Sequence, residues 1–184
     1  STAVYFGYRG KYYEQLDAAL KKGGECSLLM QSVTGEIPYG GRSNQFWHND
    51  AVQAAVMEFE AFRYQSMGNE KMAEACKAAA ELVLGLLEKN LGRQELYHIK
   101  NQYPQDSFYG CEEYAYFDKY MVTCASFLYL AYCFADDGIK SSSCPAQCGS
   151  HVFTTTQFFH KTMLKCVTYF AEYDSNADFH YDAN

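Results

Sequence analysis

A chain of 184 residues is long enough to bury a real core and normally makes one domain. Its 48% hydrophobic and 20% charged residues place it among globular rather than disordered proteins. The formal net charge of −7 argues against a nucleic-acid backbone or an anionic membrane as the main partner. No apolar run reaches membrane-spanning length, so membrane insertion is not expected.

Val4-Tyr5-Phe6-Gly7-Tyr8 reads as a short extended entry. From Lys11 to Lys22, Tyr12, Leu16, Ala19 and Leu20 form one helical stripe, and Gly23-Gly24 is expected to end that helix. Ser27 to Gln31 suits one more helical turn leading into the Thr34-Gly35-Glu36 turn. The run EIPYGGRSNQFWHND, Glu36 to Asp50, then gathers Pro38, Gly40, Gly41, Arg42, His48, three side-chain amides and the only tryptophan. Pro presets φ and Gly permits positive φ, so the run begins as a turn. Ser43 is the expected N-cap of a helix from Asn44 to about Met67. On that helix Asn44 and His48 would lie one turn apart, as would Gln45 and Asn49.

After Asp50 the same segment turns apolar, which suits a packed body whose first turn opens into a polar cleft. Free N–H groups there would favour an anionic ligand such as a carboxylate. Gly68-Asn69 breaks the pattern, and Asn69 is expected to cap a second helix from Glu70 to Asn90. Its Lys71, Lys77, Glu70, Glu74, Glu81 and Glu88 read as an ordinary solvated face. Two such helices joined by a tight turn make an antiparallel hairpin.

Arg93 to Lys100 reads as a connector closed by Pro104. A second polar and aromatic cluster, Asp106 to Tyr120, leads into Met121 to Ala135, a segment apolar on every side and expected to be buried on most of them. The layout of the first helix is thereby repeated. Asp136 to Ser150 is a loop rich in Ser, Gly and Cys. From Val152 to Tyr173 the β-branched and aromatic residues suit strands, and Phe179-His180-Tyr181 begins another. The expected fold class is therefore mainly α, antiparallel helical hairpins over residues 1–150 followed by short β-strands over 151–184.

Of the eight cysteines, Cys26, Cys76, Cys124, Cys133 and Cys166 sit among apolar neighbours and read as buried small hydrophobes. Cys144 and Cys148 are candidates for a local disulfide. No zinc-type Cys/His set, P-loop or dinucleotide fingerprint is present, so neither a metal nor a nucleotide cofactor is expected. The 17 tyrosines combine apolar area with a hydroxyl, which suits pockets for polyhydroxylated ligands as well as plain cores.

The runs EIPYGGRSNQFWHND and YGCEEYAYFDKY and the closing FHKTMLKCVTYFAEYDSNADFHYDAN resemble the (α/α)-toroid plus β-sandwich carbohydrate-active enzymes of the heparinase II/III-like kind and the related bacterial β-glucuronidase-type glycosidases. The resemblance implies part of a toroid and the first strands of a sandwich, a poly- or oligosaccharide substrate containing uronic acid, and a periplasmic or secreted location. It also implies a piece of a longer protein, in keeping with a chain that starts at Ser1 without Met.

Two chemistries fit that implication. Hydrolysis needs two carboxyls flanking the glycosidic bond, for which Glu36 and either Glu112 or Glu113 are candidates, with Asp50 and Asp106 behind them. Elimination needs a carboxylate neutraliser, a base and an acid. Arg42, Asn44 or Gln45 would neutralise, His48 would be the base, and Tyr109 or Tyr114 the base or acid. Tyr39, Trp47 and Asn49 complete the candidate substrate-binding set. A third reading is a non-catalytic glycan-binding or helical interaction module.

Each residue also has a plain reading. His48 would bond a loop carbonyl, Arg42 would tie down the Gly loop through Glu36, and Glu112 and Glu113 would answer a helix dipole. Tyr116 and Tyr120 would be core, and His160 and His180 structural.

Overall fold

The computed structural model describes residues 7, 9–37, 46–91, 119–155 and 160–175. Among them the chain is mainly helical, with α1 Tyr13–Met30, α2 Trp47–Ser66, α3 Glu70–Leu91 and α4 Lys119–Phe134, followed by β1 His151–Thr154, β2 Lys161–Lys165 and β3 Phe170–Asp174. The strands form one antiparallel sheet in the order β1-β2-β3. The entry segment except Gly7, the Arg93 to Lys100 connector and the Phe179-His180-Tyr181 strand lie outside the described residues.

The first helix does not stop at Gly23-Gly24. It continues to Met30 and absorbs the separate turn expected at Ser27 to Gln31. The reason is packing. A Cβ on Gly24 would lie 2.6 Å from Cδ of Glu60, so the missing side chain is what lets α1 approach α2. Glu60 cannot swing aside cheaply, because it is buried and accepts Arg63 Nε at 2.8 Å. Gly23, on the same helix, has open space where its Cβ would stand. A helix-ending pair in the sequence is thus a contact residue and a bystander in the fold.

The α2/α3 hairpin forms as expected. Gly68 turns the chain with φ +72°, and Asn69 Oδ1 accepts Met72 N–H at 3.3 Å as the cap of α3. Small residues line the seam. Ala54, Ala55 and Ala61 of α2 and Ala73, Ala78, Ala79 and Ala80 of α3 are all buried, which lets the two backbones come close. The polar face expected on α3 is not wholly solvated. Lys77 is only 7% exposed, and its Nζ donates to both carboxylate oxygens of buried Glu58 at 2.9 and 3.0 Å. Burial pushes the Glu58 carboxyl up, and the Lys77 ammonium pulls it back down.

The helix α4 runs parallel to α2. Tyr120 meets His48 near the start of both, and Phe134 meets Phe59 farther along, edge to face at 5.1 Å. Its burial is one-sided, against the expectation of a helix buried on most of its sides. Cys124 and Ala131 are buried and Phe127 and Leu128 pack on α2 and α3, while Val122, Tyr129 and Tyr132 stay exposed. Only one stripe of a helix can face a two-helix seam, whatever its composition.

The cysteines divide in the same way. Cys76 and Cys124 are buried, Cys26 and Cys166 are half-buried, and Cys133 is exposed. Cys144 and Cys148 are both free thiols. Cys144 is turned inward towards Gln147 Oε1, 3.4 Å away, and Cys148 is exposed.

The sheet is tied to its surroundings by polar contacts. Lys165, 1% exposed, donates to the carbonyls of Cys148 and Gly149 in the loop before β1 at 3.1 and 2.9 Å, and His151 Nε2 donates to Leu29 O of α1 at 3.1 Å. The hairpin β2/β3 is locked by Lys161, whose Nζ reaches Glu172 at 2.7 Å and Asp174 at 3.1 Å.

Two stability measurements check this packing. Gly23→Ala is expected to stabilise by about 0.5–1 kcal/mol, because Ala loses less backbone entropy in a helix. Gly24→Ala is expected to destabilise by about 1–3 kcal/mol through overpacking on Glu60. Urea unfolding reads both, and equal stabilisation by the two would remove the close approach. Lys77→Met strands a buried carboxylate and is expected to cost about 3–5 kcal/mol, most of it recovered when Glu58→Leu is added.

Candidate functional site

Because α2 and α4 run parallel, their N-terminal turns share one end of the molecule. The expected helix start is displaced. Phe46, in extended conformation at φ −113° and ψ 132°, is the N-cap residue of α2, and its own side chain makes no capping hydrogen bond. The described helix thus begins at Trp47 rather than at Asn44, and the expected cap Ser43 with Asn44 and Gln45 lies outside the described residues. Phe46 is 4% exposed, so the start of the helix is anchored by a buried ring.

Phe46, His48 and Tyr120 bring three nearly parallel rings together, their centroids at the corners of a near-equilateral triangle. Centroids lie 5.8 Å apart for Phe46 and His48, 5.5 Å for His48 and Tyr120, and 6.1 Å for Phe46 and Tyr120. Interplanar angles are 14°, 17° and 8° in the same order. The His48 ring is half-buried, and loss of hydration holds its pKa below the ordinary 6.5. At neutral pH it is an uncharged imidazole, able to accept a proton.

The neighbours of His48 belong mostly to the core. Trp47 packs against Ala51, Leu87 and Cys124, Asn49 is buried, and Asp50 is wholly buried. Burial, with the Asp50 charge second, pushes the Cys124 thiol up to about 11. Cys76 is pushed up to about 12, again first by burial. Both stay protonated at neutral pH and are poor nucleophiles.

Glu36 sits on the turn that follows α1. Ser32 O accepts Gly35 N–H at 3.0 Å, Gly35 has φ +98°, and Thr34 Oγ1 donates to Glu36 Oε2 at 3.0 Å. Gln31, wholly buried, holds this turn against α3, because its Nε2 donates to Gly35 O and Ala79 O, both at 2.9 Å. A Cβ on Gly35 would lie 3.0 Å from the Leu82 backbone, so the turn is pressed directly on the helix. Glu36 is half-buried and oriented by its own turn.

A groove of about 460 Å³ opens between α3 and α4, walled by Leu84, Leu87 and Leu128 with Glu81 and Glu88 along it. Leu87 and Leu128 also belong to the cluster that seats Trp47. Among the described residues no three His, Cys, Asp or Glu side chains are grouped as metal ligands.

Of the candidate residues, Glu36, Trp47, His48 and Asn49 are thus placed, and His48 meets Tyr120, the end of the second segment. Tyr39, Arg42, Asn44, Gln45, Tyr109, Glu112, Glu113 and Tyr114 lie outside the described residues, as does Asp106. Phe46 and Tyr120 were not candidates in the sequence. The available signal was an aromatic residue at the start of each of two apolar helices. Comparison with family models, with curated proteins and with solved structures finds no match to this chain.

The His48 environment predicts a pH dependence with a definite sign. A folded pKa below the unfolded one contributes stability that is fully present above the unfolded value and is lost as pH falls through the folded value. Lowering the pH from about 7.5 to about 5 should therefore depress Tm in part through His48. His48→Gln should flatten that part of the slope, and an unchanged slope in thermal melts would contradict the desolvated imidazole.

Proposed function

We propose that this chain is part of an (α/α)-toroid enzyme that cleaves uronic-acid-containing poly- or oligosaccharides, by hydrolysis of the glycosidic bond. The observation that supports the reading is the contact of His48 with Tyr120, at the starts of two parallel helices, with centroids 5.5 Å apart. Helix starts that share an end create the setting in which groups distant in sequence act on one ligand. Hydrolysis takes Glu36 and either Glu112 or Glu113 as acid and base or nucleophile, their separation deciding inversion or retention. Tyr39, Arg42, Asn44, Gln45, Trp47 and Asn49 are the proposed sugar contacts.

A second reading is favoured by one observation, the half-buried His48 held uncharged. In β-elimination His48 takes the C5 proton, the C4–O bond breaks, and its electron pair leaves on the departing oxygen. That oxygen takes a proton from Tyr109 or Tyr114, and a C4=C5 double bond remains. Arg42, Asn44 or Gln45 neutralises the uronate carboxylate and makes the C5 proton more acidic.

Incubation of the chain with glucuronate-containing oligosaccharides distinguishes the outcomes. New reducing ends without ultraviolet absorbance support hydrolysis, and new ends with the absorbance of a C4=C5 bond support elimination. Binding without either product leaves a glycan-binding module and removes the catalytic reading. If hydrolysis holds, Glu36→Gln should lower kcat by about 100-fold or more.

A further inference from the structure

We propose that the outer face of α4 is a homodimer interface, on which two copies of this chain pack their α4 helices antiparallel across a two-fold axis. This goes beyond the glycan-cleavage reading and is independent of it. The helix carries two apolar stripes. At 3.6 residues per turn, Tyr120, Cys124, Phe127, Ala131 and Phe134 fall on one side, the side that meets α2 and α3. Val122, Ala125, Tyr129 and Tyr132 fall on the opposite side, at the alternating three- and four-residue spacing of a helix-pairing seam. All four are exposed, Val122 at 65%, Tyr129 at 66% and Tyr132 at 77%. No charged residue interrupts the helix between Lys119 and Asp136.

Charge, shape and area favour a second copy as the occupant. Each chain carries a formal net charge of −7, so two copies repel, and least where they meet through a face with no charge to desolvate. The face is also complementary to itself. An antiparallel pair centred on Phe127 sets Tyr129 over Ala125 of the second copy and Tyr132 over its Val122, a large ring against a smaller side chain at each step. Parallel pairing would set each tyrosine against its own equivalent. Tyr129 and Tyr132 lie together, with centroids 6.5 Å apart and planes 29° from parallel, and so present one joint surface. Tyrosine rings bury roughly 150–250 Å² each. Four of them, with Val122 and the flanking Cys133 of both copies, offer on the order of 1,000 Å², where specific interfaces begin. An interface of that size fits a dimer that forms in the micromolar range.

Sedimentation velocity on the whole chain reads the mass from about 1 to about 200 µM, with a reductant present to keep the exposed Cys133 and Cys148 from cross-linking. The expected result is a shift from 20.9 kDa to twice that mass as concentration rises. Tyr132→Lys puts a cation into the face of each copy and should weaken dimerisation by about tenfold to a hundredfold. Val122→Glu alone should weaken it too. Both positions are exposed, so circular dichroism of each variant at low concentration should match that of the wild type. Combined, the two substitutions oppose a cation to a carboxylate only across the antiparallel pair, and should restore most of the lost affinity. A wild-type chain that stays monomeric up to about 200 µM overturns the proposal and leaves the face to a different partner. A dimer indifferent to both single substitutions overturns it by placing the contact elsewhere. Failure of the combined variant to recover overturns the antiparallel pairing.

Discussion

The close approach of α2 to every other helix is the constraint from which the remaining structure follows. Gly24 brings α1 against Glu60, alanines bring α3 along the seam, and Ala51, Ala54 and Ala55 leave room for Phe127 and Cys124 of α4. Small side chains supply little apolar area themselves. Their contribution is to let larger groups such as Met57, Val83 and Leu87 reach complete burial. A central helix contacted on three sides has no free face for its charged residues, so Glu58, Glu60 and Arg63 are buried with it.

Those charges are stabilised by pairing, because an isolated buried carboxylate is far more costly than a paired one. Lys77 closes on Glu58, and Arg63 closes on Glu60 while its guanidinium lies 4.7 Å over the Tyr64 ring. Each pair fixes a neighbour along the helix axis. Glu58 with Lys77 joins α2 to α3, and Glu60 stands where Gly24 admits it. The buried amide of Gln31 extends the same logic to the turn that carries Glu36, since its donor group is shared between that turn and α3.

The direction of α4 is what turns this packing into a candidate site. Following α3 back, it repeats the direction of α2, so the two helix starts come together and the rings of Phe46, His48 and Tyr120 close on one another. Desolvation of His48 is a by-product of that closure, and it is also what keeps the imidazole uncharged. Packing and the proposed chemistry therefore depend on the same contacts.

Local signals in the chain determined a good deal. The 3.6-residue periodicity over α2, α3 and α4, the Gly68-Asn69 turn with its cap, and the β-branched strands after Val152 all act between residues close in sequence. The sequence also marks the His48 segment by polar residues set before an apolar helix, and most of those polar residues lie outside the described residues. What tertiary structure alone decided involves partners far along the chain. Gly24 is packed against Glu60, Lys77 is buried on Glu58, and Phe46 at the start of α2 meets the ring of Tyr120. A glycine, a lysine or a phenylalanine carries no mark of such a partner, since burial and pairing are properties of where two distant segments meet.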